Sequence, residues 1–316
     1  MVQLLKNKLV LVAGAVWLAL LAFPLFVSSP FYFHLMILIF LYALLAGSWN
    51  ILGGYTGQVS LGHAVFFGIG AYSSTLGLVN LGINPWVGML AGGVIAVILS
   101  LVIGYPTFRL RGHYFVIATI ALGEIFFVLF TNWEWAGGAV GKHLPFIEPG
   151  LKSFTFGPKE PYYYIALGLL TIQLAVTYWM QKSYLGYYFQ AIREDQDAAR
   201  SLGIDITRYK LVAMGFSAFF MAIGGSFYAQ YVLYIDPDSV LPMMLSIQVC
   251  LIAILGGVGT IAGPVIGAAI MIPLAEFSRA LLGGSGSALD LVIYGLLIMI
   301  IAVLKPSGLM GLITGK

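Results

Sequence analysis

The chain has 316 residues, of which 60% are hydrophobic and only 9% charged, with a formal net charge of +3. A soluble domain carries about 25% charged residues, so the composition excludes a water-facing globular surface and leaves lipid as the main solvent. The small net charge gives no nucleic-acid signal, and a single cysteine, Cys250, excludes an internal disulfide framework and a cysteine-based metal site.

Lys6 and Lys8 precede an apolar run from Leu9 to Val27. That run is longer than a signal-peptide core, and Ser28-Ser29-Pro30 is a poor cleavage site, so it reads as a first span that is kept. Spans of roughly 20 apolar residues then place candidate helices at 9–28, 33–52, 59–80, 86–105, 113–131, 161–180, 209–234, 243–258, 261–282 and 288–304. The expected fold is an all-α, polytopic transmembrane bundle, a single transmembrane domain over 1–316, with about ten spans. Glycine interrupts the segments near 59–80 and 243–282, and eight spans would keep the same parity. The 39 glycines suit helices packed backbone to backbone in a bilayer.

Basic residues orient the bundle. With the N-terminus inside, Lys6, Lys8, Arg109, Arg111, Lys182, Arg193, Arg200, Arg208, Lys210, Lys305 and Lys316 lie inside. Lys142, Lys152 and Lys159 lie outside, all in one long loop, 132–160, and Arg279 falls near the outer end of its helix. Both termini are therefore expected in the cytoplasm. The outer loop carries Pro145, Pro149 and Pro158 and is either a plain connector or a docking element for an outer partner.

The inner segment 181–208 is the most polar part of the chain. Glu194, Asp195 and Asp197 precede Ala198-Ala199, and Gly203 supplies a stop, so a helix of about two turns is expected. Ala198, Ala199 and Leu202 share one stripe, which has no core of its own chain to face and therefore wants a partner. The alternative is an ordinary solvated linker.

Two glycine-rich stretches look like broken helices. Gly53, Gly54, Gly57 and Gly62 surround Gln58, Ser60 and His63, and Gly256, Gly257 and Gly259 follow Leu255. Irregular backbone at membrane depth belongs where it lines a cavity. Gln58, Ser60, His63, Gly256, Gly257 and Gly259 are therefore candidate pathway residues, together with Glu124, the deepest ionisable group. Gly57-x-Val59 then Gly68 matches Gly256-x-Val258 then Gly267 in spacing, which suggests an internal repeat; close helix packing explains the same glycines equally well. Glu124 is read as an inward carboxyl bonded to a neighbouring helix in preference to a pathway or proton-carrying role. His63 is read as structural, and Glu276 and Arg279, three apart, as a pair.

Four stretches in order resemble the branched-chain amino acid permease family, specifically its LivM-like subunit. They are Gly54-Tyr55-Thr56-Gly57-Gln58-Val59-Ser60-Leu61-Gly62-His63-Ala64, Arg109-Leu110-Arg111-Gly112-His113-Tyr114-Phe115, Ala191-Ile192-Arg193-Glu194-Asp195 through Gly203-Ile204, and Leu255-Gly256-Gly257-Val258-Gly259-Thr260. Asp197-Ala198-Ala199-x-x-x-Gly203 also resembles the Glu-Ala-Ala-x-x-x-Gly coupling loop of ATP-binding-cassette (ABC) importers, with Asp in place of Glu and without a downstream Ile-x-Leu-Pro. The resemblance implies that Arg193, Glu194, Asp195, Asp197, Ala198, Ala199, Leu202 and Gly203 couple to an ATPase. It also implies a second homologous permease subunit, two ATPase subunits that use ATP and Mg, and a periplasmic binding protein, in a bacterial inner membrane.

The chain has no phosphate loop of its own: Gly141-Lys142 lacks the flanking residues such a loop needs. No catalytic, cofactor or metal site is expected. The substrates implied are leucine, isoleucine and valine, with urea or short amides as the alternative. An ion-coupled secondary transporter would need coupling carboxylates beyond Glu124, and an intramembrane enzyme lacks any of its motifs.

Overall fold

The computed structural model describes residues 2–145, 150–281, 295–296 and 308–310. Twelve helices are described: α1 (Val2–Phe26), α2 (Pro30–Gly53), α3 (Ala64–Leu81), α4 (Pro85–Thr107), α5 (His113–Thr131), α6 (Glu160–Lys182), α7 (Tyr184–Glu194), α8 (Gln196–Ser201), α9 (Ile206–Val232), α10 (Pro237–Val240), α11 (Met243–Gly256) and α12 (Gly263–Leu281). Among the described residues, seven stretches are long and apolar enough to cross a membrane: α2, α3, α4, α5, α6, α9, and α10 with α11 as one segment, Pro237–Gly256. Nine of the ten expected spans have a matching helix; of the tenth, at 288–304, only residues 295–296 are described, and Lys305, Lys316 and the side chain of Arg279 lie outside the described residues. The protein is thus a polytopic helical membrane protein.

Local chemistry starts and stops these helices. Proline at the first helical position opens α2 (Pro30) and α4 (Pro85), where its missing N–H costs nothing. Asn84 caps α4 by accepting from Trp86 N. Gly82, at φ +63°, ends α3 and returns its N–H to Gly77 and Leu78 carbonyls.

The core is built on α2, α3 and α9. Where α3 crosses α9 the backbones touch: a Cβ on Gly70 would run into the Ala222 carbonyl, and one on Gly225 into that of Phe67. Ser226 Oγ donates to Gly70 O at 2.8 Å across the same crossing. Small residues at this seam replace the hydrophobic drive that lipid cannot supply. Gly256, Gly263 and Gly267 do the same for α11 against α12.

The all-α expectation needs one small correction. Lys142–His143 in the 132–160 loop pairs antiparallel with Tyr234–Ile235. The loop is pinned further by Trp86 Nε1 donating to Leu151 O at 2.6 Å and Asn84 Nδ2 to Lys152 O at 2.9 Å. Strands this short leave no alternating hydrophobic pattern to read.

Candidate functional site

Both glycine-rich stretches interrupt helices. Residues 54–63 form an irregular connector between α2 and α3, and 257–262 one between α11 and α12. Gly57 (φ +72°) and Gly259 (φ +77°) sit in the left-handed region that favours glycine. Helix resumes at Ala64 in one and Gly263 in the other, in step with the matched pairs Gly57/Gly256 and Gly68/Gly267.

The first connector is held by buried polar bonds. Trp49 Nε1 donates to Ser60 O at 2.7 Å, and Leu61 N to Thr119 Oγ1 at 3.1 Å. His63 is fully buried, with Nδ1 at 3.1 Å from Ser60 Oγ and Nε2 at 2.8 Å from Ser217 Oγ. Ser217 Oγ donates in turn to Ser48 O at 2.7 Å. The structural reading of His63 matches this geometry.

Ser60, Gln58 and His63 are all buried in the bundle, whereas Gly57 and Val59 face outward. Burial alternates along 57–60, and the polar side chains take the inner side. Gln58, Ser60 and His63, expected as pathway residues, are thus packed inside this chain's own bundle.

Glu124 is corrected in the opposite direction. It lies on the exposed face of α5, with Tyr114, Ile117, Ile125 and Val128, and not bonded inward. Only 22% of the α5 span is buried, against 78% for α2 and 72% for α9. A charge facing lipid at mid-membrane costs about 2.5–3.5 kcal/mol or more. This face therefore belongs against protein or water.

The polar segment folds as two helices. Asp195 separates α7 from α8 and caps α8, its Oδ1 accepting from Asp197 N at 2.8 Å and Ala198 N at 2.9 Å. Gly203 ends the unit at φ +83°. Asp205 caps α9 by accepting from Arg208 N.

The expected stripe divides. Ala199 is 2% exposed and packs with Ile192 and Ile206 in a small apolar cluster. It has a core of its own chain after all, because α7 and the start of α9 fold back on either side of it. Leu202 is 81% exposed, and Ala198 also faces outward.

Three of the quoted motifs meet on the fourth here. Arg111 makes a two-pronged contact with Asp197, Nη2 to Oδ1 at 3.1 Å and Nη1 to Oδ2 at 3.2 Å. Arg193 Nη1 donates to Gly54 O at 2.8 Å, just past the end of α2. A Cβ on Gly259 would collide with that same nitrogen. Asn50 clasps the second connector, Nδ2 donating to Thr260 O at 2.8 Å while Oδ1 accepts from Gly259 N at 2.8 Å. Sequence reasoning missed Asn50, Gly54 and Arg111 as members of this junction. Lys210 is also buried here, donating to Gln196 Oε1 at 3.0 Å.

The Arg111–Asp197 pair is exposed on both sides, at 54% and 70%. Exposed pairs contribute about 0–1 kcal/mol. Asp197→Ala is thus expected to leave the melting temperature nearly unchanged, and a large drop would show that the pair does more than hold two wet side chains together.

Among the described residues, no group of three or more His, Cys, Asp or Glu is arranged to hold a metal ion. What the arrangement offers is mechanical: irregular connectors inside a helical bundle, tied to a pair of polar helices at one end.

Comparison with known proteins agrees with that class. The family described as branched-chain amino acid transport system / permease component matches residues 31–302, and the chain belongs to it. The high-affinity branched-chain amino acid transport system permease protein LivM of Escherichia coli K12 is 30% identical, covering 96% of this chain and 75% of that protein. LivM of Salmonella typhimurium is 29% identical over 85% of this chain and 68% of its own. LivH of the same organism, the permease protein LivH of that transport system, is 27% identical over 85% and 91%. No solved structure matches the chain at a significant level.

Proposed function

We propose that this chain is the LivM-like permease subunit of an ATP-driven importer for leucine, isoleucine and valine in a bacterial inner membrane. The observation that carries the reading is the junction at Arg193, where a polar helix pair outside the spans grips both broken-helix connectors. The excess of basic residues at that end supports a cytoplasmic location for it, and the same bias supports cytoplasmic termini. Two ATPase subunits dock there and supply the energy this chain cannot, using their own ATP and Mg. A second, homologous permease covers the exposed face of α5, so that Glu124 faces the pathway or the subunit seam instead of lipid. A periplasmic binding protein delivers the amino acid at the opposite end, near the 132–160 loop. Selection by that soluble receptor relieves the pathway of any need for a strong fixed charge.

Docking falls on Ala198 and Leu202, the outward half of the stripe, with Glu194 and Gly203 beside them. Ala199 supports the fold. Ala199→Asp would bury a carboxylate between Ile192 and Ile206, and it is expected to loosen the α7–α8 pair by about 2–4 kcal/mol. Hydrogen exchange restricted to residues 184–206 would show it; unchanged protection would contradict the packing described.

The assembly itself is tested by purifying the tagged chain from its own membranes. The expected co-purifying set is one second permease and an ATPase. Recovery of the chain alone, in detergent that preserves other ABC assemblies, would count against the reading.

A further inference from the structure

The two connectors are far apart in sequence but share one side chain. Arg193 stands in the last turn of α7 and reaches Gly54 O at 2.8 Å. Its stem lies alongside the first connector, since a Cβ on Gly57 would sit 3.4 Å from Arg193 Cγ and 3.6 Å from its Cα. Its guanidinium fills the space over Gly259 in the second, where only glycine leaves room. Asn50 then fixes that second connector to the end of α2 through Gly259 N and Thr260 O.

The contact is directional chemistry and not loose packing. The Gly54 carbonyl stands at the C-cap of α2, at the negative end of the helix dipole, and a guanidinium there makes a charge-assisted bond. Its planar fork holds a fixed angle, which a flexible ammonium would not. A displacement of α7 and α8 therefore either moves both connectors together or breaks this bond. The connectors are the segments where helix is interrupted, and so the parts of the bundle able to bend.

We infer that Arg193 is a positioning residue that carries movement of the α7–α8 pair into both broken-helix connectors at once, linking ATP-driven motion to the pathway. The inference rests on the importer reading above. It assigns to Arg193 a contact inside the permease, where the motif alone suggested one with the ATPase.

The test uses the complete complex of both permeases, ATPases and binding protein in proteoliposomes, measuring leucine uptake and ATP hydrolysis together. Arg193→Gln removes the charged fork. Gly259→Ala keeps Arg193 but pushes its guanidinium away. Both variants are expected to assemble and hydrolyse ATP within about twofold of the parent, yet import roughly tenfold less leucine per ATP or worse. Arg193→Lys should fall between. Unchanged uptake per ATP in Arg193→Gln and Gly259→Ala would overturn the inference, and so would a proportional fall of hydrolysis and uptake or a failure to assemble, which mark a merely structural bond.

A second measurement leaves Arg193 intact. Spin labels at Gln190→Cys on α7 and Val59→Cys, both outward positions, should keep one separation with and without ATP, while Gln190→Cys to Val140→Cys changes. The chain's own Cys250 is buried. A 190-to-59 separation that changes as much as the 190-to-140 one overturns the inference. Absence of ATP-dependent uptake by the unmodified complex would instead overturn the importer reading on which it stands.

Discussion

Leu202→Asp is expected to abolish binding of the ATPase subunits while leaving the permease folded. Leu202 is 81% exposed at the tip of the α7–α8 unit, so its own chain gains almost nothing from it. Burying a leucine in a partner's groove is worth about 1.5–3 kcal/mol. An aspartate facing the same apolar surface adds the desolvation of an unpaired charge, about 1–3 kcal/mol or more. Together these weaken association by roughly a hundredfold or more. Co-purification with the ATPase, read beside the thermal midpoint of the permease, checks both halves. Retained ATPase binding, or loss of the fold itself, would show that Leu202 is not where the partner sits.

The largest effect on the fold is expected at the α3–α9 crossing. Gly225→Val would drive a branched side chain into the Phe67 carbonyl, and backbone cannot rotate aside. Overpacking costs about 1–3 kcal/mol where side chains can yield, and here the obstruction is a main-chain atom in the most buried layer of the bundle. Little folded protein should be recovered, with a clearly lowered melting temperature in whatever remains. Gly168→Val on α6, where a Cβ would meet nothing within 4 Å, serves as the control. Equal recovery of the two variants would contradict the packing described.

Much of the bundle is legible in the sequence because lipid enforces a simple rule. An apolar run must satisfy its own backbone, so it becomes a helix. The run after Pro30 becomes α2 and the run after Pro85 becomes α4 within a few residues of where composition places them. The two glycine-rich breaks are also legible, because no continuous helix accommodates that many glycines beside polar side chains.

What the sequence hides is which side a residue faces. Ala199 looks available to a partner until Ile192 and Ile206, seven positions to either side, are seen to close over it. Gln58, Ser60 and His63 look like pathway residues, but the connector buries all three, with the His63 ring between Ser60 and the α9 Ser217, and leaves Val59 outside. Glu124 looks like a buried, bonded carboxyl because that is the common fate of an acid in a span, and only the sparse cover of α5 shows it facing away. Arg193 looks like a residue that meets the ATPase, yet its partner Gly54 lies 139 positions earlier, and nothing local marks the contact. The nearest signal was glycine itself: Gly57 and Gly259 leave the room that Arg193 occupies.

The account depends on energy entering through residues 184–203 from another polypeptide. The most direct measurement is uptake of labelled leucine into proteoliposomes holding either this chain alone or the full set with its second permease, ATPases and loaded binding protein. Accumulation should require the full set and ATP, and vanish without either. Leucine accumulated by the chain alone, driven by an ion gradient and indifferent to ATP, would contradict it.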